Sequence, residues 1–322
     1  MRNFYFLFFL IAFLTTSSCK KTEKDIVMKI IQTLKNKSIN RDKINWLEAE
    51  QDVLNSLLIS KDSAIVKALS MNNNQHTYYL KGEKIIQGHY KKNQNSDSCY
   101  LSGQIDNSKL PDVGYLKIER FHTNPIAKDN DLSSQEYISK IIQSIKKQDR
   151  KNLKGWVIDL RYNSGGDMWP MLIALTPFLS SKVIGSFQQG DKTQTWLLKN
   201  NEILLDENSQ NERLHFKPVK YRTLNKDAKF AILINHRTAS AGEAVAIAMK
   251  SLKNVKFFGQ ETRGFATSNE IIHITNNEAL ILTVGYMASH NGKIFPDGLS
   301  PDIYACKLPE LNTELQNWFK NN

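Results

Sequence analysis

The part of the sequence that most restricts the fold is an apolar run, a turn of small residues and an alanine-rich stretch, in that order. Residues 230–234 are continuously apolar, which is typical of a buried β-strand. Residues 241–249 have no proline and one glycine, and they predict a helix. A buried strand that leads directly into a helix indicates a layered α/β fold.

Ser240 lies at the junction between this strand and this helix. A helix start leaves backbone N–H groups free, so a serine placed there can attack a carbonyl group while those N–H groups stabilise the developing charge. The Gly-x-Ser-x-Gly pattern of lipases is absent. A serine that only caps the helix fits the same residues, so this segment alone leaves both interpretations open.

A second apolar run, residues 156–160, is followed by a polar turn that ends in Gly165 and Gly166. Glycines allow the backbone to approach a ligand closely. The Gly-Lys-Ser/Thr sequence of a phosphate loop is missing, so we do not expect nucleotide binding here. A glycine N–H near a nucleophilic serine fits the oxyanion hole of an acyl-transfer enzyme.

Strands and helices alternate through the rest of the chain, which predicts an α/β core. Before it, helical periodicity predicts three helices, at 24–36, 43–58 and 62–70. The stretch 188–226 is polar and reads as poor in strands, and we expect it to cover a cleft.

Four sequence blocks occur in a fixed order along the chain: residues 159–166, 237–243, 259–264 and 297–302. Together they resemble the signature blocks of the tail-specific (C-terminal processing) and tricorn-core serine peptidases. The resemblance covers roughly residues 114–303. It implies a crotonase-like α/β core with a small helical N-terminal domain, and an enzyme that needs no metal or other cofactor.

Members of this family use either a Ser–Lys dyad or a histidine base. Phe265 stands where the dyad lysine would be, so the histidine style is expected. The resemblance then assigns Ser240 as nucleophile, His76 as general base, and the N–H groups of Ala241 and of Gly165 or Gly166 as the oxyanion hole. His122 is a weaker alternative base.

The third catalytic member is expected to be Asp297, which would orient the imidazole of His76. Asp297 also starts a Pro-Asp-Gly turn, so an ordinary turn role stays open. An unperturbed histidine has a pKa of about 6.5, and activity is expected to titrate near that value.

The first residues are predicted to be a targeting segment. Residues 4–14 are apolar but too short to span a bilayer, and residues 16–19 look like a bacterial lipobox that ends in Cys19. The expected organisation is a signal peptide at 1–18, lipidation of Cys19, a helical domain at 19–75 and a peptidase core at 76–322 without a PDZ domain. This places the protein in a bacterial cell envelope, anchored to the membrane. A plain secretory signal is the alternative.

Three other function classes were weighed. The formal charge of +11 is spread along the chain, so nucleic-acid binding is not expected. A catalytically inactive, peptide-binding envelope lipoprotein of the same fold stays open, whereas an acyl-CoA enzyme would not explain the block around Ser240.

Cys99 and Cys306 could pair or remain separate thiols. We expect peptide or protein substrates as partners.

Overall fold

The computed structural model describes residues 22–90, 99, 101–122, 130–206, 216 and 219–320, with side chains omitted at 130–133. The predicted signal peptide and Cys19 lie outside these residues. The description therefore begins at Thr22, whose hydroxyl accepts a hydrogen bond from the N–H of Asp25 and caps the first helix.

Three helices form the N-terminal region: α1 (Glu23–Lys37), α2 (Trp46–Leu57) and α3 (Lys61–Asn72). They confirm the three predicted helices, with the second starting three residues later than expected. The last helix ends at Asn73, which adopts a left-handed conformation with φ of 46°. Asparagine tolerates this conformation better than most residues, and it turns the chain toward the next strand.

One sheet is entirely parallel. Within the described residues its order is β12-β9-β8-β4-β3, and its strands are β3 (Val113–Lys117), β4 (Gly155–Asp159), β8 (Lys229–Ile234), β9 (Val255–Gly259) and β12 (Ile303–Tyr304). Helices α4 (Asn130–Gln148), α5 (Met168–Ala174) and α6 (Ala241–Met249) contribute to the core on one face, and α7 (Leu308–Lys320) covers the other. Burial on both faces explains why these strands are continuously apolar in sequence.

The second sheet is antiparallel. Its described strands are β1 (Tyr78–Lys81), β2 (Lys84–Ile86), β5 (Val183–Gln189), β6 (Lys192–Lys199), β7 (Glu202–Leu205), β10 (Thr267–Thr275) and β11 (Glu278–Ala288). Helices α1 and α3 pack against it, and Ile30, Leu69 and Leu280 meet in their shared core. The helical N-terminal region and the antiparallel sheet therefore form one packed unit.

The expectation for residues 188–226 is wrong for the described part of that segment. Instead of a strand-poor cover, β6 and β7 continue the antiparallel sheet from β5. The first half of β6 is polar and exposed, while Trp196 in its second half is fully buried. Alternating or polar strands of this kind give a weaker sequence signal than buried parallel strands.

The mixed α/β fold with a small helical N-terminal region is confirmed.

Cys99 and Cys306 form a disulfide, with their Cα atoms 5.1 Å apart. The bond joins the segment before β3 to the segment after β12. In the part of the chain that the structure describes, no helix is long and apolar enough to cross a membrane.

Candidate active site

Ser240 lies between β8 and α6, as the sequence predicts, and its backbone is strained. It has φ of 53° and ψ of −116°, a combination that side-chain-bearing residues rarely adopt. Strain of this kind costs on the order of 1–3 kcal/mol and persists where surrounding contacts enforce it, often at functional sites. The sharp turn resembles the strand-to-helix elbow that presents the nucleophilic serine of α/β-hydrolases.

A buried carboxylate holds this turn. Glu243 is fully buried, and its oxygens accept hydrogen bonds from the N–H groups of Ser240 (2.8 Å), Gly264 (2.9 Å) and Phe265 (2.8 Å) and from the hydroxyl of Thr262 (2.6 Å). Burial raises the pKa of Glu243, and its hydrogen bonds from Thr262 and the three N–H groups oppose that rise. Glu243 therefore fixes Ser240 and the 262–265 segment relative to each other.

The glycine turn after β4 packs directly on Ser240. A Cβ atom added to Gly165 would lie 2.9 Å from the Ser240 Cβ and 3.4 Å from the Ala241 nitrogen. Gly165 has φ of 110° and Gly166 has φ of 115°, values that suit only glycine. The turn and the nucleophile are thus in van der Waals contact, as an oxyanion hole requires.

The two glycines differ in their hydrogen bonds. The Gly165 N–H donates to the side-chain oxygen of Asn163 at 3.1 Å, so it is already used. The N–H groups of Gly166 and Ala241 donate to no partner within the described residues. Of the two alternatives that the sequence left open, Gly166 is therefore the available donor.

His76 lies in the connection between α3 and β1. Its N–H donates to the side chain of Asn74, and its ring Nδ1 is 2.7 Å from the hydroxyl of Thr267 at the start of β10. In the tautomer that keeps Nε2 unprotonated, Nδ1–H donates to Thr267 and Nε2 can accept a proton. No hydrogen bond joins His76 to Ser240 among the described residues, and such catalytic contacts often tighten only when substrate binds.

Phe265 and Arg263 complete the surroundings of the imidazole. The ring of Phe265 stacks on His76 with centroids 4.8 Å apart and planes 11° apart, and the Arg263 guanidinium carbon lies 5.0 Å from the Phe265 centroid. Burial, with a smaller contribution from the positive charge of Arg263, lowers the pKa of His76 to about 4. This corrects the titration near 6.5 expected from sequence, because neutral imidazole persists to lower pH.

Asp297 is not placed as expected. It is exposed, and its side chain forms no hydrogen bond or ion pair within the described part of the chain. Its backbone instead contacts Gly264, where a Cβ would come within 3.1 Å of the Asp297 carbonyl. The ordinary turn role left open by the sequence fits this geometry, and Thr267 occupies the Nδ1 position that Asp297 was expected to fill.

His122 lies on the other side of the glycine turn from Ser240. Its Nδ1 would be 3.3 Å from a Cβ added to Gly166, and its own side chain is exposed. Burial and the charge of Arg120 lower the pKa of His122. It lies beside Gly166 but shares none of the contacts that connect His76 with Phe265, so it stays the weaker alternative.

Sequence reasoning missed two residues of the site. Glu243 could have been found, because the spacing Ser-x-x-Glu at a helix start is a recognised capping signal. Thr267 carried no such signal, since it is 191 positions from His76 and only the pairing of β10 with β11 brings it there. The described residues contain no group of three His, Cys, Asp or Glu side chains that could hold a metal ion.

Comparison with known proteins shows which family the chain matches. The model of Peptidase family S41 matches residues 112–305. The chain is 28% identical over 183 residues to the nisin-resistance protein of Lactococcus lactis subsp. lactis, covering 56% of this chain and 54% of that protein. It is 25% identical over 225 residues to the carboxy-terminal processing protease CtpA of Bacillus subtilis (strain 168), covering 66% and 43%. The chain thus spans about half or less of these relatives.

Solved structures share the fold. A lipoprotein from Streptococcus agalactiae superimposes with a TM-score of 0.69 at 22% identity, over 99% of both chains. The photosystem II D1 C-terminal processing protease superimposes with a TM-score of 0.57 at 13% identity, over 94% of this chain and 97% of that one. At these identities the similarity shows the fold alone.

Proposed function

The chain belongs to peptidase family S41, and we propose that it is a serine-type endopeptidase with Ser240 as nucleophile and His76 as general base. The observation that carries the proposal is the strained turn at Ser240. Its backbone is enforced by Glu243, and the same carboxylate holds the backbone of Phe265, which stacks on His76. Strain maintained at a helix N-terminus, and linked through Glu243 and Phe265 to a half-buried, neutral imidazole, is an arrangement suited to acyl transfer.

In the proposed reaction, His76 Nε2 takes the proton of the Ser240 hydroxyl as the oxygen attacks a peptide carbonyl carbon. The N–H groups of Ala241 and Gly166 receive the negative charge on the carbonyl oxygen. Losing one such donor typically costs about 3 kcal/mol of transition-state stabilisation. His76 then protonates the leaving amine, and water releases the acyl group from Ser240 by the reverse proton path.

In this proposal, Thr267 takes the orienting role that the sequence analysis gave to Asp297. A hydroxyl at Nδ1 fixes the tautomer and the ring plane, but it supplies no negative charge to stabilise imidazolium. The aromatic face of Phe265 partly compensates, because a cation above an aromatic ring is stabilised by about 0.5–2 kcal/mol. His76 is thus positioned by uncharged neighbours.

Substrates and location follow the sequence analysis as proposals. We propose that the enzyme acts on peptides or unfolded proteins of a bacterial envelope, with lipidated Cys19 as its membrane anchor. The described chain begins three residues after Cys19, at the cap of α1, so the helical region would lie next to the membrane. Radiolabelled palmitate is expected to enter the native protein and not Cys19→Ala, and equal labelling of both would refute the anchor.

The activity is tested with a fluorophosphonate probe on the whole protein. Ser240 should become covalently labelled, and Ser240→Ala should lose both labelling and hydrolysis of an unfolded protein while its circular dichroism spectrum is unchanged. His76→Ala should lose most activity, and His122→Ala much less. Absence of labelling and hydrolysis in the folded wild type, with peptide still bound, would instead support the inactive peptide-binding lipoprotein.

A further inference from the structure

Arg263 stands beside the proposed catalytic pair on a rigid piece of backbone. Its N–H donates to the carbonyl oxygen of Thr238, in the turn that leads to Ser240, at 2.9 Å. The next two N–H groups, of Gly264 and Phe265, donate to the buried Glu243 carboxylate. Three consecutive backbone groups are therefore held, and the Cα of Arg263 has a fixed position relative to the nucleophile.

The side chain of Arg263 is exposed but oriented. Its guanidinium lies over the ring of Phe265, which in turn stacks on His76. Stacking on an aromatic ring holds the planar guanidinium and leaves its N–H edges free to donate hydrogen bonds. A cation is thus presented at the surface, one aromatic ring away from the proposed base.

No internal carboxylate neutralises this cation. Among the described residues Arg263 forms no ion pair, although Glu261 is two positions away and the backbone of Asp297 contacts Gly264. Both acidic side chains are exposed and neither pairs with it. The charge of Arg263 is also felt at the base, since it helps to lower the pKa of His76.

We propose that Arg263 forms a subsite for a carboxylate group of the substrate, located within a few residues of the scissile bond. The carboxylate is the C-terminal group of a peptide or an acidic side chain, and the guanidinium fork binds either one through paired, charge-assisted hydrogen bonds. The inference rests on the proposed peptidase activity. It adds what the site selects: substrates with a negative charge beside the cleaved bond.

A further consequence concerns the chemical step. A bound carboxylate offsets the charge of Arg263, so it removes part of the repulsion that opposes proton transfer to His76. Acidic substrates should therefore have a higher kcat as well as a lower KM. Tighter binding alone, without an electrostatic effect on the base, would change KM and leave kcat unchanged.

The test uses a short alanine-rich peptide as the free carboxylate, as the C-terminal amide, and as the amide with one glutamate or glutamine at each position in turn. Binding is measured with Ser240→Ala and hydrolysis with the wild type. The carboxylate or one glutamate amide should bind, and be cleaved, about tenfold better than its uncharged partner. The preference should weaken as salt is raised, because exposed charges are screened.

Two variants of the same position and one control decide the outcome. Arg263→Gln should abolish the preference, and Arg263→Glu should reverse it toward a peptide with lysine. Lys253→Gln removes one exposed positive charge beyond the far end of α6 and should keep the preference. Each is combined with Ser240→Ala for the binding measurement, and circular dichroism confirms that each is folded.

The results separate this inference from the proposed function. Equal binding of charged and uncharged peptides to Ser240→Ala, or a preference that survives in Arg263→Gln, overturns the subsite. A preference in binding that depends on Arg263, with no hydrolysis by the wild type, upholds the subsite and overturns the peptidase. The glutamate and C-terminal series distinguish an acidic side chain from a chain terminus.

Discussion

The two sheets hold the two halves of the candidate site in different ways. The parallel sheet carries Ser240 and the glycine turn at the ends of β8 and β4, and backbone contacts fix both. The antiparallel sheet carries Thr267, and His76 lies just before its first strand; side-chain contacts from Thr267 and Phe265 fix the imidazole. The Ser240 side is therefore part of the folded core, and we expect changes on the His76 side to have little effect on stability at neutral pH.

Glu243 connects these two halves. It lies on α6 next to the nucleophile, and it accepts hydrogen bonds from the turn that precedes β10. Changes at Glu243 should therefore affect both stability and activity, while changes at the base should affect activity alone. Four predictions test this difference, beginning with the largest effect.

Glu243→Ala should cause the largest loss. Its removal leaves the hydroxyl of buried Thr262 and the N–H groups of half-buried Ser240, Gly264 and Phe265 without this acceptor, and an unsatisfied buried donor costs about 1–3 kcal/mol. We expect the free energy of unfolding to fall by at least about 3 kcal/mol and kcat/KM to fall at least about 100-fold. Urea unfolding and peptide hydrolysis measure the two quantities.

The matched control is Glu243→Gln, which keeps the shape and one acceptor oxygen but introduces an N–H₂ group facing donors. It should lie between wild type and Glu243→Ala in both measurements. If Glu243→Ala unfolds like the wild type, or if it loses stability while keeping full activity, then Glu243 does not connect the two halves of the site.

Phe265→Leu should affect the base without weakening the fold. Loss of the stacked ring frees the imidazole and admits water, so kcat should fall about 10- to 100-fold while unfolding changes little. The wild type should retain kcat/KM until the pH falls to about 4, the pKa of His76. In Phe265→Leu that acid limb should move upward toward about 6.5. Phe265→Tyr keeps the ring and should resemble the wild type.

The lowered pKa of His76 also predicts the direction in which stability changes with pH. His76 has a lower pKa when folded than when unfolded, so protonation favours the unfolded chain. Its contribution to stability is complete above about pH 6.5 and is lost as pH falls toward 4. Unfolding of Phe265→Leu should show a weaker loss over this range, and an unchanged acid limb would contradict a role for Phe265 in excluding water.

Thr267→Val and Asp297→Asn should have the smallest effects on activity, and comparing them shows which residue orients His76. Valine has the shape of threonine but cannot form the hydrogen bond with Nδ1 of His76. We therefore expect kcat to fall about tenfold with KM nearly unchanged. Thr267→Ser should restore most of the activity. Asp297→Asn should stay within about twofold of the wild type, since its exposed carboxylate contacts no catalytic group. The opposite ranking would return the orienting role to Asp297.

The same comparison explains what could be read from the sequence. Strands β4 and β8 were found to within one residue, because burial on both faces makes them continuously apolar. Strands β6 and β7 were missed, since the first half of β6 is exposed and polar and β7 has only four residues. The Ser240 turn and the glycine turn were located because small residues between a strand and a helix are a local signal.

The sequence by itself determined the α/β class, the three N-terminal helices and the turn that presents Ser240. These features depend on hydrophobic periodicity and on turn chemistry. Both involve residues close together in the sequence, so a short segment is enough to recognise them. Only the tertiary structure decided that Thr267 contacts His76, that Phe265 stacks on it and that Cys99 pairs with Cys306. These contacts join residues about 190 to 207 positions apart: β1 and β10 both pair with β11, which brings His76 to the 265–267 segment, and the disulfide joins the segment before β3 to the segment after β12.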